Sequence, residues 1–202
     1  MTDKNTGIKS DDFYIRSKWK WNRYRDGLFI PTRKRIYLYW FKFLQEAEKS
    51  PDHKVDWKEY RGWGGSNVIL GQKFDYWWEE RWKDLFGSKD GSSKAKVKFP
   101  ITTTQPKARA MKIALLVWLH RNTSPDYTPK SYGGTEARSY SRRGGRNLAI
   151  ARKIVSSERY KGDLSDIDPS QVADEQILQS KIGRYKRQAI KMLDNVCEGK
   201  FP

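Results

Sequence analysis

Residues 74–86 read FDYWWEERWKDLF. Phe74, Trp77, Trp78, Trp82 and Leu85 recur at intervals of three and four, the spacing of one helix face, and Gly87 supplies a C-terminal stop. Glu79, Glu80 and Asp84 fall on the other side, which repels phosphate. A helix so constructed must bury its rings, so an aromatic, helical core is the starting point for the whole chain.

Upstream, the same period begins at Thr32. Ile36, Trp40, Phe43, Leu44 and Ala47 share a face, and Pro51 forces the end of the helix. Arg33, Lys34 and Arg35 crowd its first turn, where the helix dipole disfavours cations by about a few tenths of a kcal/mol. Between these helices, RGWGGSNVILG (61–71) has glycines without the spacing of a dinucleotide or phosphate loop. Gly62, Gly64 and Gly65 are expected to turn the chain around Trp63.

Further upstream the period changes to two. Phe13, Ile15, Trp19 and Trp21 alternate with Arg16, Lys18, Lys20 and Asn22, as in an extended arm. Asp26-Gly27 offers a turn, and Pro31 leaves only Leu28, Phe29 and Ile30 for a return strand, so a hairpin here is short. If the rings face inward, Trp19 and Trp21 anchor the arm, and Lys18 and Lys20 extend a charged surface.

Downstream, the polar stretch at 87–98 marks a change of chemistry. Eight of the nine tryptophans precede it, and only Trp118 follows. This predicts an aromatic N-terminal helical region with an extended arm (1–87), a linker or loop (88–98) and a basic C-terminal helical domain (99–202). In that domain ARAMKIALLVWLHR is apolar almost all round. A second helix runs from Asn147 to Lys161 with Leu148, Ala151, Ile154 and Val155 inward. A long helix begins at Asp168-Pro169, with Leu178, Ile182, Tyr185, Ala189, Met192, Leu193 and Val196 on one stripe and Lys181, Arg184, Lys186, Arg187 and Lys191 largely off it. Cys197 falls on the apolar stripe as a buried thiol, and Phe201 folds back beyond Gly199. The expected fold is mainly α, with about five helices and an extended or short β-hairpin N-terminal arm.

Charge narrows the function. The 202 residues carry 41 Lys and Arg against 24 Asp and Glu, a formal +17. Such an excess needs an anionic partner or counterions. From Arg138 to Lys161 eight cations face Glu158 alone, the densest sustained charge in the chain. There SRRGGR (141–146) resembles the arginine-glycine segments that bind nucleic acid, and Gly144 and Gly145 precede the expected helix start, where free N–H groups favour a phosphate.

The reading is a non-enzymatic nucleic-acid-binding protein, DNA ahead of RNA. The residues assigned to binding are Lys18, Lys20, Arg138, Arg142, Arg143, Arg146, Arg152, Lys153, Arg184 and Arg187, with Tyr132 and Tyr140 as stacking platforms. Two other readings stand beside it. One is an interaction or assembly protein, such as a phage or mobile-element scaffold or accessory factor, docking its basic, Trp-rich surface on an acidic protein complex; oligomers fit either reading. The other is a metal-dependent nuclease using Asp52 and Asp56, whose separation is short for the two strands such a site uses.

No catalytic residue, cofactor or metal is assigned. Cys197 is the lone cysteine, and His53 and His120 lie far apart without a second cysteine to complete a zinc set. The absence of a long apolar run and of a signal-like apolar segment at the N-terminus predicts an intracellular protein, cytoplasmic or nucleoid-associated, neither secreted nor held in a membrane.

Overall fold

A computed structural model describes residues 21–23, 29–31, 34–87, 89, 99, 101, 108–123, 135–157, 164–172 and 174–202, the side chains of 21–23, 29–31 and 135–144 excepted. The protein is mainly helical. Strands β1 (Trp21–Arg23) and β2 (Phe29–Pro31) pair antiparallel, with Trp21 opposite Pro31. Residues 13–20 of the expected arm, and the side chain of Trp21, lie outside the description. Among the described residues six α-helices follow: α1 (Lys34–Lys49), α2 (Gly65–Gly71), α3 (Phe74–Phe86), α4 (Ala108–Leu119), α5 (Thr135–Ser157) and α6 (Glu175–Cys197).

The chain divides into two compact units, residues 1–108 with 191–202, and residues 109–190. Residues 191–202, expected with the C-terminal domain, thus pack with the first unit. Their attachment is physical: Tyr60 donates its hydroxyl to the Val196 carbonyl at 2.6 Å. The Phe201 ring, fully buried, stacks on Trp40 with centroids 5.5 Å apart.

The first unit is assembled around rings. α1 buries Ile36, Trp40, Phe43, Leu44 and Ala47, and also Tyr37, Tyr39 and Phe41, so more than one stripe is covered. α3 buries Phe74, Trp77, Trp78, Trp82, Leu85 and Phe86. Their rings interlock, Tyr37 on Phe86 at 4.1 Å and Trp63 on Trp77 at 4.5 Å. Each such pair contributes about 0.5–1.5 kcal/mol beyond the area it buries.

Two indole N–H groups within this core are paired, whereas Trp63 Nε1 has no hydrogen-bond partner among the described residues. Trp40 Nε1 donates to Tyr60 Oη at 2.9 Å, and Trp77 Nε1 donates to the Trp63 carbonyl at 2.9 Å. Trp63 is delivered by a sharp turn in which Gly64 (φ 96°) and Gly65 (φ 74°) adopt left-handed backbone. At Gly64 a Cβ would stand 2.8 Å from Val68 Cγ2. The turn leads into α2, a helix not foreseen in a stretch read as a turn.

In the second unit the helix boundaries differ from expectation in two places. α5 begins at Thr135, not at Asn147, so Gly144 and Gly145 lie in a helix interior. Each glycine there costs about 1 kcal/mol relative to alanine, which is why the sequence reads as a loop. Its buried residues are Ala149, Ile150, Ala151 and Ile154, with Leu148 and Val155 only half-buried, a rotation of the expected face.

α6 begins at Glu175 rather than near Asp168. Asp168 instead closes its own turn, accepting from the Ser170 amide and hydroxyl at 2.9 and 2.7 Å. Asp174 is the true cap, accepting from the amides of Gln176 and Ile177 at 2.7 and 3.2 Å. Leu178, Ile182, Tyr185, Ala189, Leu193 and Val196 are buried as the stripe predicts, and Met192 is half-buried. No helix among the described residues is long and apolar enough to cross a membrane.

Candidate nucleic-acid interface

Residues 109–190 carry sixteen Lys and Arg against eight Asp and Glu. Two helices of this unit hold most of those cations. α5 places Arg138, Arg142 and Arg146 on successive turns, because residues four apart lie one above another, and Arg152 and Lys153 follow two turns later. Arg146, Arg152 and Lys153 are exposed. The side chains of Arg138, Tyr140, Arg142 and Arg143 lie outside the described residues, as do Lys18, Lys20, Tyr132, Arg159 and Lys161.

The helical course of α5 corrects one expectation about chemistry. A phosphate was expected at free N–H groups near Gly144 and Gly145, but inside a helix each N–H bonds the carbonyl four residues back. SRRGGR therefore lies within a helix and supplies no N-terminal backbone nest.

On α6, Arg184 and Arg187 are exposed and Lys181 is half-exposed, opposite the buried stripe. α5 and α6 meet at Asn147. Its amide donates to the Gln179 carbonyl at 3.2 Å, and its Oδ1 accepts from Lys186 Nζ at 2.7 Å. Burial and, after it, the Arg146 guanidinium push Lys186 below the usual lysine range. Arg146 and Lys186, from different helices, are thus held near enough to repel. Among the described residues neither has a carboxylate at ion-pair distance. Lys186 was read from sequence only as part of a basic flank; its partner helix is a tertiary fact.

Elsewhere in this unit a cation is matched. Arg109 Nη2 lies 3.4 Å from Asp166 Oδ1 and donates to Ser165 Oγ, while Tyr185 donates to Asp166 Oδ2 at 3.2 Å. The Tyr185 phenol is pushed up by burial and by that carboxylate.

In the first unit, Trp40, Trp63, Trp77, Trp78 and Trp82 are core residues and offer no ring to a partner. Trp57 is half-buried and donates to Glu48 at 3.0 Å. The outer side of α3 is acidic as expected, with Lys34 paired to Asp75 at 3.2 Å and near Glu79 at 3.9 Å. Asp52 and Asp56 are both exposed, and Asp56 Oδ1 accepts from the Lys58 amide at 3.0 Å. No group of three His, Cys, Asp or Glu among the described residues is placed to hold a metal ion.

One array in this unit has the composition of a hydrolytic triad and escaped the sequence reading. His53 Nδ1 lies 2.9 Å from Ser50 Oγ, and His53 Nε2 lies 3.5 Å from Asp194 Oδ1. Ser50 is only 5% exposed, so its hydroxyl meets no substrate. The array ties the turn after α1 to the end of α6. Cys197, next to it, is half-buried rather than buried; burial and then Asp194 push its thiol up, away from the reactive thiolate.

Comparison with protein-family models, with curated proteins and with solved structures finds no match for this chain.

Proposed function

We propose that the protein binds nucleic acid without catalysing a reaction, DNA ahead of RNA, and that α5 and the exposed face of α6 supply the phosphate contacts. The observation that supports this most is the pairing of Arg146 with Lys186. Two like charges that repel across neighbouring helices, with no carboxylate at ion-pair distance among the described residues, raise the energy of the free protein, and a bound phosphate relieves that repulsion. Arg138, Arg142, Arg143, Arg152, Lys153, Arg184 and Arg187 extend the same positive surface. In this reading Tyr132 and Tyr140 are the stacking candidates, and Lys18 and Lys20 add further cations. Phosphate contacts of this kind give affinity before sequence preference.

The test is fluorescence anisotropy of labelled oligonucleotides across a salt series. With roughly six phosphates neutralised, the logarithm of affinity falls with that of salt at a slope near −5. Replacing Arg142, Arg143 and Arg146 with alanine weakens binding equally across sequences. Absence of binding to DNA and RNA at about 50 mM salt overturns the reading, and an unchanged affinity in the triple variant removes α5 from it.

A further inference from the structure

The basic face of α6 is concave as well as charged. Ile177, Lys181, Arg184 and Arg187 follow one another at three- and four-residue steps and, with Asp174, Gln176 and Ser180, line a cleft of about 460 Å³. That volume falls in the range of sites for small ligands, roughly 300–1,000 Å³, and suits a single nucleotide rather than a duplex.

The charges around the cleft are unequal. Lys181, Arg184 and Arg187 bring three cations, and Asp174 is the one carboxylate among the described lining residues. Its Oδ1 is committed to the amides of Gln176 and Ile177 as the helix cap. Arg184 also lies against the Tyr185 ring, with Cζ 5.3 Å from the centroid, which orients its guanidinium. Lys181 and Arg187 have no carboxylate partner among the described residues.

Beside these cations Ile177 is 49% exposed. An apolar side chain set among phosphate-binding cations fits a ligand with a flat apolar surface next to its anion. A nucleotide of an unpaired strand offers both. In a duplex the base faces are stacked on one another, and only base edges, sugars and phosphates are presented.

We propose that this cleft accepts one nucleotide of an unpaired strand, with its phosphate among Lys181, Arg184 and Arg187 and its base against Ile177, so that α6 confers a preference for single-stranded over duplex nucleic acid. The proposal rests on the nucleic-acid reading above and assigns it a strand type.

The experiment uses the full chain and one labelled oligonucleotide of about 20 nucleotides, alone and as a duplex, in anisotropy titrations over salt. Ile177→Ser is expected to weaken single-strand binding about fivefold and to leave duplex binding within about twofold. The combined variant Lys181→Gln, Arg184→Gln and Arg187→Gln is expected to lower the single-strand salt slope by about 2. Unchanged circular dichroism and melting temperature establish that both variants are folded.

An Ile177→Ser effect that is equal on the two strand forms, or absent from both, overturns the proposal. So does an unchanged slope in the combined variant while wild-type affinity is measurable; in that case nucleic-acid binding stands without the cleft. Failure of the wild-type protein to bind either form instead overturns the nucleic-acid reading itself.

Discussion

Tyr60→Phe removes one oxygen from the aromatic core and leaves the buried Trp40 indole N–H without its partner. Trp40 Nε1 loses its acceptor at 2.9 Å, and the Val196 carbonyl loses the tyrosine donor at 2.6 Å while keeping the Gly199 amide at 3.3 Å. A buried polar group left unsatisfied costs about 1–3 kcal/mol and the lost hydrogen bond to Val196 about 0.5–1.5 kcal/mol, so the substitution costs about 2–4 kcal/mol. For a chain of this size that lowers the melting temperature by roughly 5–15 °C. Urea unfolding followed by tryptophan fluorescence measures it directly, since five fully buried tryptophans lie in this unit. The midpoint should fall with little change in slope. A loss below about 0.5 kcal/mol would refute the claim that this hydroxyl joins residues 191–202 to the first unit.

The same substitution has a pH signature. Burial pushes the Tyr60 phenol far above the ordinary value, although the Trp40 hydrogen bond opposes this. Above about pH 10 the unfolded chain releases this proton and the folded chain keeps it. The unfolded state then binds fewer protons, so stability falls as pH rises. Tyr185 is raised as well and remains in the variant, so the difference between the two proteins isolates Tyr60. Above pH 10 the stability of the wild-type protein should decline more steeply than that of Tyr60→Phe; equal slopes would contradict the assignment.

Gly64→Ala should destabilise the first unit by about 2 kcal/mol or more, read as a lower urea midpoint, because the φ of 96° is strained for alanine and the new Cβ meets Val68 Cγ2 at 2.8 Å. Lys186→Gln keeps a donor for Asn147 and removes the charge next to Arg146. Its melting temperature should hold or rise, while the salt slope of nucleic-acid binding should drop by about 0.9; a drop in stability would mean that the lysine charge supports the fold.

α3 was legible from sequence because its rings repeat at helical spacing, and the structure buries Phe74, Trp77, Trp78, Trp82 and Leu85 together. α5 was legible only in its second half, since two adjacent glycines and a run of arginines contradict local helix preference. The start of α6 was misplaced because Asp168 and Asp174 carry the same capping chemistry; one closes an isolated turn and the other a helix. The cations of the candidate interface could be named from charge alone. The approach of Arg146 to Lys186 depends on packing between segments distant in sequence, and the hollow beside Ile177 on how the side chains of 174–187 are set along α6.

The first unit is discontinuous in sequence: residues 109–190 are inserted between its two parts. During synthesis the inserted unit emerges while the aromatic core still lacks Val196 and Phe201. Tryptophans made early must therefore wait for partners more than a hundred positions away, as the 136-residue separation of Tyr60 and Val196 illustrates. Loop closure on that scale slows folding and prolongs exposure of apolar rings. Folding yield, more than final stability, is where this architecture makes the protein vulnerable, and co-expression with a chaperone that shields aromatic segments should raise the soluble yield.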